Sequence, residues 1–308
     1  MFRIAAYLSL ISGLFFLWVI LPRPLTLETP DLASILDGLA GGVGSSGPAE
    51  ATLACGSADI PCKVGQRIYH IALPEGDGPF PVIVMMHGSK GSGARIISGP
   101  LRRAALERGY GLIAPTALDV QYAGGETGTG WIFEGRRGTR DDYQFTRNTI
   151  SDAVARFPVD PDRIILSGFS NGATFAWYFA CASTRLPFSS VATLGGTLAR
   201  GRPESCGRRT PRFSLLHGHG DRDLVLPIEG EEPKDGWIGW ESAEKSLQTL
   251  LSKANCRGGT EGVSGRFALE LWSECANGQR FGFATFSGGH EIPPGWFDLV
   301  IDWSEGTL

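Results

Sequence analysis

A serine, an acid and a histidine, the residue types of covalent acyl transfer, can be lined up along this chain in that order. Ser170 sits in Gly168-Phe169-Ser170-Asn171-Gly172, with the apolar run Ile164-Ile165-Leu166 before it and a largely apolar helical run from Ala173 to Cys181 after it. A serine at the tip of a strand-to-helix turn is pushed out toward a substrate, and its glycine neighbours let the two elements approach closely. The Asn171 amide would then stand at the helix N-terminus, where unpaired N–H groups and the helix dipole favour a developing oxyanion. Such a hydroxyl is a weak nucleophile until a base takes its proton. Of the five histidines only His217, His219 and His290 follow Ser170. The first two leave almost no room for an intervening strand-borne acid, so His290 is the expected base. Two aspartates compete to orient it. Taking His219-Gly220-Asp221-Arg222-Asp223-Leu224-Val225-Leu226-Pro227 as HGxxDxx(V/L)P favours Asp223, whereas taking His217-Gly218 as the first pair favours Asp221. Asp223 is preferred, because its spacing to Pro227 also fits. His217-x-His219-x-Asp221 has the look of half an HxHxD metal signature, but a binuclear site needs further histidines, and those are placed in other loops. Neither a metal nor a cofactor is expected.

Those residues need a scaffold that brings distant loops to one edge. Gln66 to Leu73 alternates as a strand, and Val82-Ile83-Val84-Met85-Met86 is a continuous apolar run of buried-strand length. That run ends in His87-Gly88-Ser89-Lys90-Gly91. The loop after it is the place for a second oxyanion donor, assigned to the Ser89 amide with Gly88 as the alternative, and His87 is expected to support the loop. A helix is predicted from Arg95 to Arg108, a strand from Gly111 to Pro115, and then a long polar loop from Asp119 to Arg140. Within it, Trp131 and Phe133 are candidate walls of a substrate cleft, or else aromatic pins holding the loop to the core. Asp141-Asp142 opens a helix running to Phe157, where the dipole alone accounts for acidic residues. Val159 to Arg163 is predicted as a turn. Further strands are expected at Ser189–Leu198, Phe213–Leu216 and Phe281–Phe286, helices at Trp240–Ala254 and Trp296–Trp303, and a hairpin between Cys256 and Cys275. This alternation predicts an α/β protein with a mainly parallel central sheet and helices on both faces. Elbow, chain order and sheet together are those of the α/β-hydrolase fold.

The 308 residues are 42% hydrophobic and 19% charged, enough for one large core. A net charge of -4 with no basic stripe argues against nucleic acid as a partner. Met1-Phe2-Arg3 followed by the uncharged apolar run Ile4 to Leu21 is laid out as an export signal, and the run is just long enough to span a bilayer. Pro22-Arg23-Pro24 offers no cleavage site after it. Residues 1–21 are therefore expected to be a signal peptide or a retained signal anchor, the one route to a membrane. The Gly-, Pro- and Ser-bearing stretch 22–54 is expected to be a linker, with the catalytic domain at 55–308. Six cysteines, Cys55, Cys62, Cys181, Cys206, Cys256 and Cys275, fit disulfides in an oxidising compartment, secreted or periplasmic. Cys55 and Cys62 bracket a small loop, and Cys181 and Cys206 are expected to lie near each other.

With these residues assembled, the stretch from about Cys55 to Trp303 resembles the exported polyhydroxybutyrate depolymerase and feruloyl-esterase-like (LpqC-type) group of α/β-hydrolases. The likeness rests on Val82 to Gly88, Asp141-Asp142, Val159-Asp160-Pro161-Asp162-Arg163, Gly168 to Ala173, Ala180-Cys181, the HGxxD segment ending at Asp223, and Gly288-Gly289-His290. The chain departs from it after His290, where Glu291-Ile292-Pro293 stands in place of the usual Trp-Pro-Gly. The resemblance implies a Ser170, Asp223, His290 triad, and it supports pairing Cys181 with Cys206 and Cys256 with Cys275. It also implies hydrolysis of a small-molecule or oligomeric ester through an acyl-enzyme on Ser170. No Ser/Thr-rich linker and binding module follow His290, so soluble esters or acyl groups on plant polysaccharide are expected before insoluble polymer. Peptidase activity on the same triad, or a non-catalytic binding role, are the rival expectations.

Overall fold

The computed structural model describes residues 50–308 except 123, 135, 184–186, 189, 203, 209 and 235–237. The expected signal or anchor at 1–21 and most of the expected linker lie outside the described residues. Among those described, no helix is long and apolar enough to cross a membrane. Residues 50–54, assigned above to the linker, belong to the folded unit: Ala51 N donates to Leu73 O at 3.0 Å, and Ala51 and Leu53 pack against the core.

The strands in chain order are β1 (Cys62–Val64), β2 (Arg67–Ala72), β3 (Phe80–Met86), β4 (Gly111–Pro115), β5 (Asp119–Gln121), β6 (Thr127–Thr129), β7 (Arg136–Arg137), β8 (Arg140–Asp141), β9 (Val159–Phe169), β10 (Ser190–Leu194), β11 (Ser214–Gly220), β12 (Thr260–Ser264), β13 (Phe267–Trp272) and β14 (Phe281–Phe286). Ten of them form one sheet in the order β1-β2-β4-β3-β9-β10-β11-β14-β13-β12. Its centre, from β4 through β14, is parallel, and antiparallel pairs close both edges. Strict alternation explains why the central strands are apolar throughout. Along β3, Val82, Val84 and Met86 enter one core layer and Ile83 and Met85 the other. The first layer is covered by helices Asp142–Arg156, Asn171–Ala182 and Ala243–Ala254, the second by Gly93–Ile97, Pro100–Glu107 and Trp296–Glu305. This is the α/β-hydrolase fold.

Three expected elements differ. The helix predicted over Arg95–Arg108 is two, because Gly99 caps a second helix with Pro100 in its first turn, a place where proline's missing N–H costs nothing. The Val159–Arg163 turn is a bulge inside β9, where the register jumps from Phe80 opposite Val159 to Val82 opposite Ile164. Strand β11 runs on through His217-Gly218-His219-Gly220, so both histidines lie in the sheet rather than in a loop.

The bonded cysteine pairs are Cys55–Cys62, Cys181–Cys206 and Cys256–Cys275. The second ties the end of the elbow helix Asn171–Ala182 to the short helix Glu204–Arg208. The third closes the β12–β13 hairpin.

Candidate active site

Four parallel strands, β3, β9, β11 and β14, each deliver a loop to the same sheet edge, their C-terminal ends, where ligands of open α/β sheets bind. Ser170 follows β9 with φ 56° and ψ -125°, a left-handed conformation that a serine adopts only under constraint. The constraint is the close passage of helix over strand. A Cβ on Gly168 would come within 2.3 Å of Gly172 O, and one on Gly172 within 2.3 Å of Met86 O, so neither position has space for a side chain. The seryl hydroxyl is left half-exposed at the tip.

His290 follows β14, and its Nε2 lies 2.9 Å from Ser170 Oγ. Its Nδ1 lies 2.7 Å from Asp223 Oδ2. A carboxylate only accepts, so Nδ1 carries the proton and Nε2 is free to take one from the serine. Asp223 is 4% exposed, and its other oxygen, Oδ1, accepts from Val225 N at 2.9 Å and Leu226 N at 2.8 Å, which fixes the carboxylate plane. Phe169 tilts against the imidazole with ring centroids 4.8 Å apart. Asp221, the competing acid, is elsewhere: its Oδ1 accepts from Gly288 N at 3.1 Å and its amide donates to Phe286 O at 3.0 Å. It ties the acid loop to the base loop and does not reach the imidazole's Nδ1, which belongs to Asp223.

The β3 loop crosses beside the serine, and a Cβ on Gly88 would stand 3.2 Å from Ser170 Cβ. Lys90 N and Gly91 N are committed to Thr129 O and Gly88 O. The Ser89 and Asn171 amides take part in none of the described loop or cap hydrogen bonds. His87 props this loop from inside. Its Nε2 accepts from Ala117 N at 3.0 Å, so Nδ1 donates to Gly88 O at 2.7 Å. Burial pushes its pKa down to about 4 against the pull of the Gly88 carbonyl, and the nearby Arg67 charge lowers it further, so the imidazole stays neutral.

Trp131 corrects the expectation of a cleft wall. It is 2% exposed, stacked on Phe145 and tilted against Phe175, with Nε1 donating to His87 O at 3.0 Å. A buried indole finds a partner for its N–H, and here that satisfies the loop-pinning alternative. Sequence reasoning missed what holds its segment. Asp142, expected to serve only the helix dipole, is fully buried between Arg67 and Arg140 and also accepts from Ile132 N at 2.8 Å. Arg140 in turn donates to Leu118 O, Asp119 O and Gly130 O, gathering both ends of the long loop. The neighbouring Asp141 does the capping, accepting from Gln144 N at 2.8 Å. The available local signal was Arg140, two residues before Asp142; Arg67, 75 residues earlier, gave none.

His217 and His219 bond each other, His217 Nε2 to His219 Nδ1 at 3.1 Å, while Asp221 serves Gly288. The three do not gather as an HxHxD cluster, and no group of metal-binding side chains occurs among the described residues.

Fold and site together define an α/β-hydrolase with a serine, histidine and aspartate joined end to end. Residues 133–234, which include Ser170 and Asp223, match the family model described as Phospholipase/Carboxylesterase. The chain is 26% identical over 227 residues to feruloyl esterase B of Piromyces equi, covering 70% of this chain and 40% of that protein. It is 28% identical over 200 residues to the putative esterase NocK of Nocardia uniformis subsp. tsuyamanensis, covering 61% and 53% respectively. The chain thus spans about half or less of the length of these curated relatives. Among solved structures, acetyl xylan esterase from Aspergillus awamori superposes with a TM-score of 0.58 at 13% identity, over 83% of this chain and 98% of that one, a likeness of fold.

Proposed function

We propose that the protein is an exported serine esterase acting on carboxylic esters of the feruloyl or acetyl type carried by plant polysaccharide or its soluble fragments. One observation carries this reading: Ser170 Oγ, His290 and Asp223 form an unbroken hydrogen-bonded line at 2.9 and 2.7 Å. In the first half-reaction Ser170 Oγ attacks the ester carbonyl and passes its proton to His290 Nε2. Asp223 Oδ2 holds Nδ1–H and stabilises the imidazolium. The amides of Ser89 and Asn171 bind the oxyanion, and they act only if already aimed where the negative charge develops. The imidazolium returns its proton to the departing alkoxide, leaving an acyl-enzyme. Water, deprotonated by the same imidazole, then releases the acid and restores Ser170.

The names of the matched family and relatives support ester over amide substrates, and the resemblance to the feruloyl-esterase-like group supports the acyl class. Export is supported by three disulfides, which persist in oxidising compartments. The test is hydrolysis of a short-chain nitrophenyl ester and of methyl ferulate by the wild type and Ser170→Ala. Loss of both activities in the variant is expected, and equal rates in the two proteins would sink the mechanism.

A further inference from the structure

Directly behind the acid lie two imidazoles with no part in the steps above. His217 and His219 alternate along β11, so both side chains enter the same buried layer, and both residues are fully buried. Their neighbours come from the adjoining strands. His217 stands opposite Thr193 on β10 and Phe283 on β14, stacking on the latter with centroids 5.8 Å apart and planes 9° apart. Four polar contacts join them: Thr193 Oγ1 to His217 Nδ1 at 2.9 Å, His217 Nε2 to His219 Nδ1 at 3.1 Å, His219 Nε2 to Leu226 O at 2.8 Å, and His219 Nε2 to Asp223 Oδ2 at 3.5 Å.

Only one placement of protons satisfies that line. A carbonyl only accepts, so His219 Nε2 must carry hydrogen. Burial lowers the proton affinity of both rings, which are therefore neutral, and a neutral imidazole has one N–H. His219 Nδ1 is then an acceptor, His217 Nε2 its donor, and His217 Nδ1 the acceptor of the Thr193 hydroxyl. The result is a directed chain, Thr193 to His217 to His219, ending at Leu226 O, with the Asp223 oxygen that receives His290 lying 3.5 Å from the same Nε2. Leu226 is gripped at both ends, since its amide donates to Asp223 Oδ1 at 2.8 Å. The acid loop is thus held on one side by β11's own imidazole and on the other by its own amides.

We propose that His219 is a positioning residue for Asp223, with His217 and Thr193 fixing its tautomer. Nε2–H of His219 secures the turn carrying Asp223 and sets the angle at which Oδ2 meets His290. Apolar side chains at 217 and 219 would fill the same core as well but would leave the buried Asp223 turn held by its own Val225 and Leu226 amides alone. This rests on the triad reading above, so Ser170→Ala is run in parallel; a fully active Ser170→Ala would defeat that reading and this one together.

The experiment measures kcat and KM of His219→Leu, His219→Gln and Thr193→Val with a nitrophenyl ester, after circular dichroism confirms native folding. Leucine removes the donor, whereas the glutamine amide nitrogen can replace Nε2–H. His219→Leu is expected to lower kcat by about tenfold with KM nearly unchanged, and His219→Gln to recover most of it. Thr193→Val, isosteric and lacking only the hydroxyl, is expected to lose about threefold in kcat. A folded His219→Leu with wild-type kcat overturns the proposal, and so does a loss that glutamine leaves unrestored. If His219→Leu does not fold, Thr193→Val decides: reduced kcat at unchanged KM supports the chain, and wild-type kcat overturns it.

Discussion

Asn171 and Trp131 clasp each other through two hydrogen bonds: Trp131 N donates to Asn171 Oδ1 at 2.6 Å, and Asn171 Nδ2 donates to Trp131 O at 3.1 Å. The residue whose amide begins the elbow helix is thereby anchored to the long loop, and that loop to His87 and the β3 turn. Both proposed oxyanion amides rest on one connected support. Asn171→Ala leaves the backbone amide in place but frees this corner. The expected loss in kcat is about five- to tenfold, less than the hundredfold or more of deleting a donor outright. Asn171→Asp, which cannot donate to Trp131 O, should fall similarly. Steady-state kinetics at saturating ester decide it, and wild-type kcat in both variants would show the clasp to be idle.

Asp223→Asn and Asp221→Asn separate the acid from its neighbour. Asparagine at 223 can present a donor to His290 and hold the wrong tautomer, so kcat should fall by about a thousandfold or more. At 221 the change weakens one tie, to Gly288 N, and should cost less than about tenfold. A collapse of activity confined to Asp221→Asn would reverse the assignment.

Much of this was legible in the chain and some was not, for reasons visible in particular residues. The elbow could be read because its requirements are local: an apolar strand, two glycines where no Cβ fits, and an apolar helix all fall within one stretch. His290 could be read because chain order excludes other candidates. Asp142 and His217 could not, since each takes its role from partners far away in sequence, Arg67 for the first and Thr193 and Phe283 for the second. Trp131 could be read only as far as a choice between cleft wall and loop pin, because its deciding partner, His87, lies 44 residues earlier. His217-Gly218-His219-Gly220 looks like a loop because it is polar and glycine-rich, yet strand pairing on both sides supplies partners that make imidazoles tolerable in a core. The break at Gly99-Pro100 was visible and was overridden by helical spacing on either side.

Asp142 should be among the most sensitive non-catalytic positions. Its carboxylate is fully buried with both guanidiniums nearly so, and Arg67 lies 3.6 Å from the Phe145 ring centre. Asp142→Asn would leave two arginines facing a neutral amide. Breaking a buried ion pair in this way costs about 3–5 kcal/mol. Urea unfolding should show a lowered midpoint, and an unchanged midpoint would mean that Arg67 and Arg140 find other partners.

The disulfides should differ in worth by the chain they close. Cys181–Cys206 spans 25 residues and Cys55–Cys62 spans 7. Loop-closure entropy puts the first at about 3.5 kcal/mol and the second at about 2.4 kcal/mol. Urea titrations of Cys181→Ala/Cys206→Ala and Cys55→Ala/Cys62→Ala should rank in that order, and a reversed ranking would show that native packing outweighs chain entropy.

His87 predicts how stability responds to acid. Burial holds its folded pKa at about 4, below the ordinary 6.5, so between those values the unfolded chain binds a proton that the folded chain refuses. Its contribution is fully present above pH 6.5 and is lost as pH falls toward 4, amounting to about 3 kcal/mol across the window. His217 and His219 shift in the same direction and add to the slope. Protonation would also end the bond that His87 Nε2 accepts from Ala117 N and loosen the β3 loop. His87→Gln keeps an acceptor that does not titrate. Urea midpoints measured at several pH values from 7.5 down to 4 should therefore fall less steeply for His87→Gln than for the wild type. Parallel lines for the two proteins would mean that His87 is protonated in the folded state without penalty.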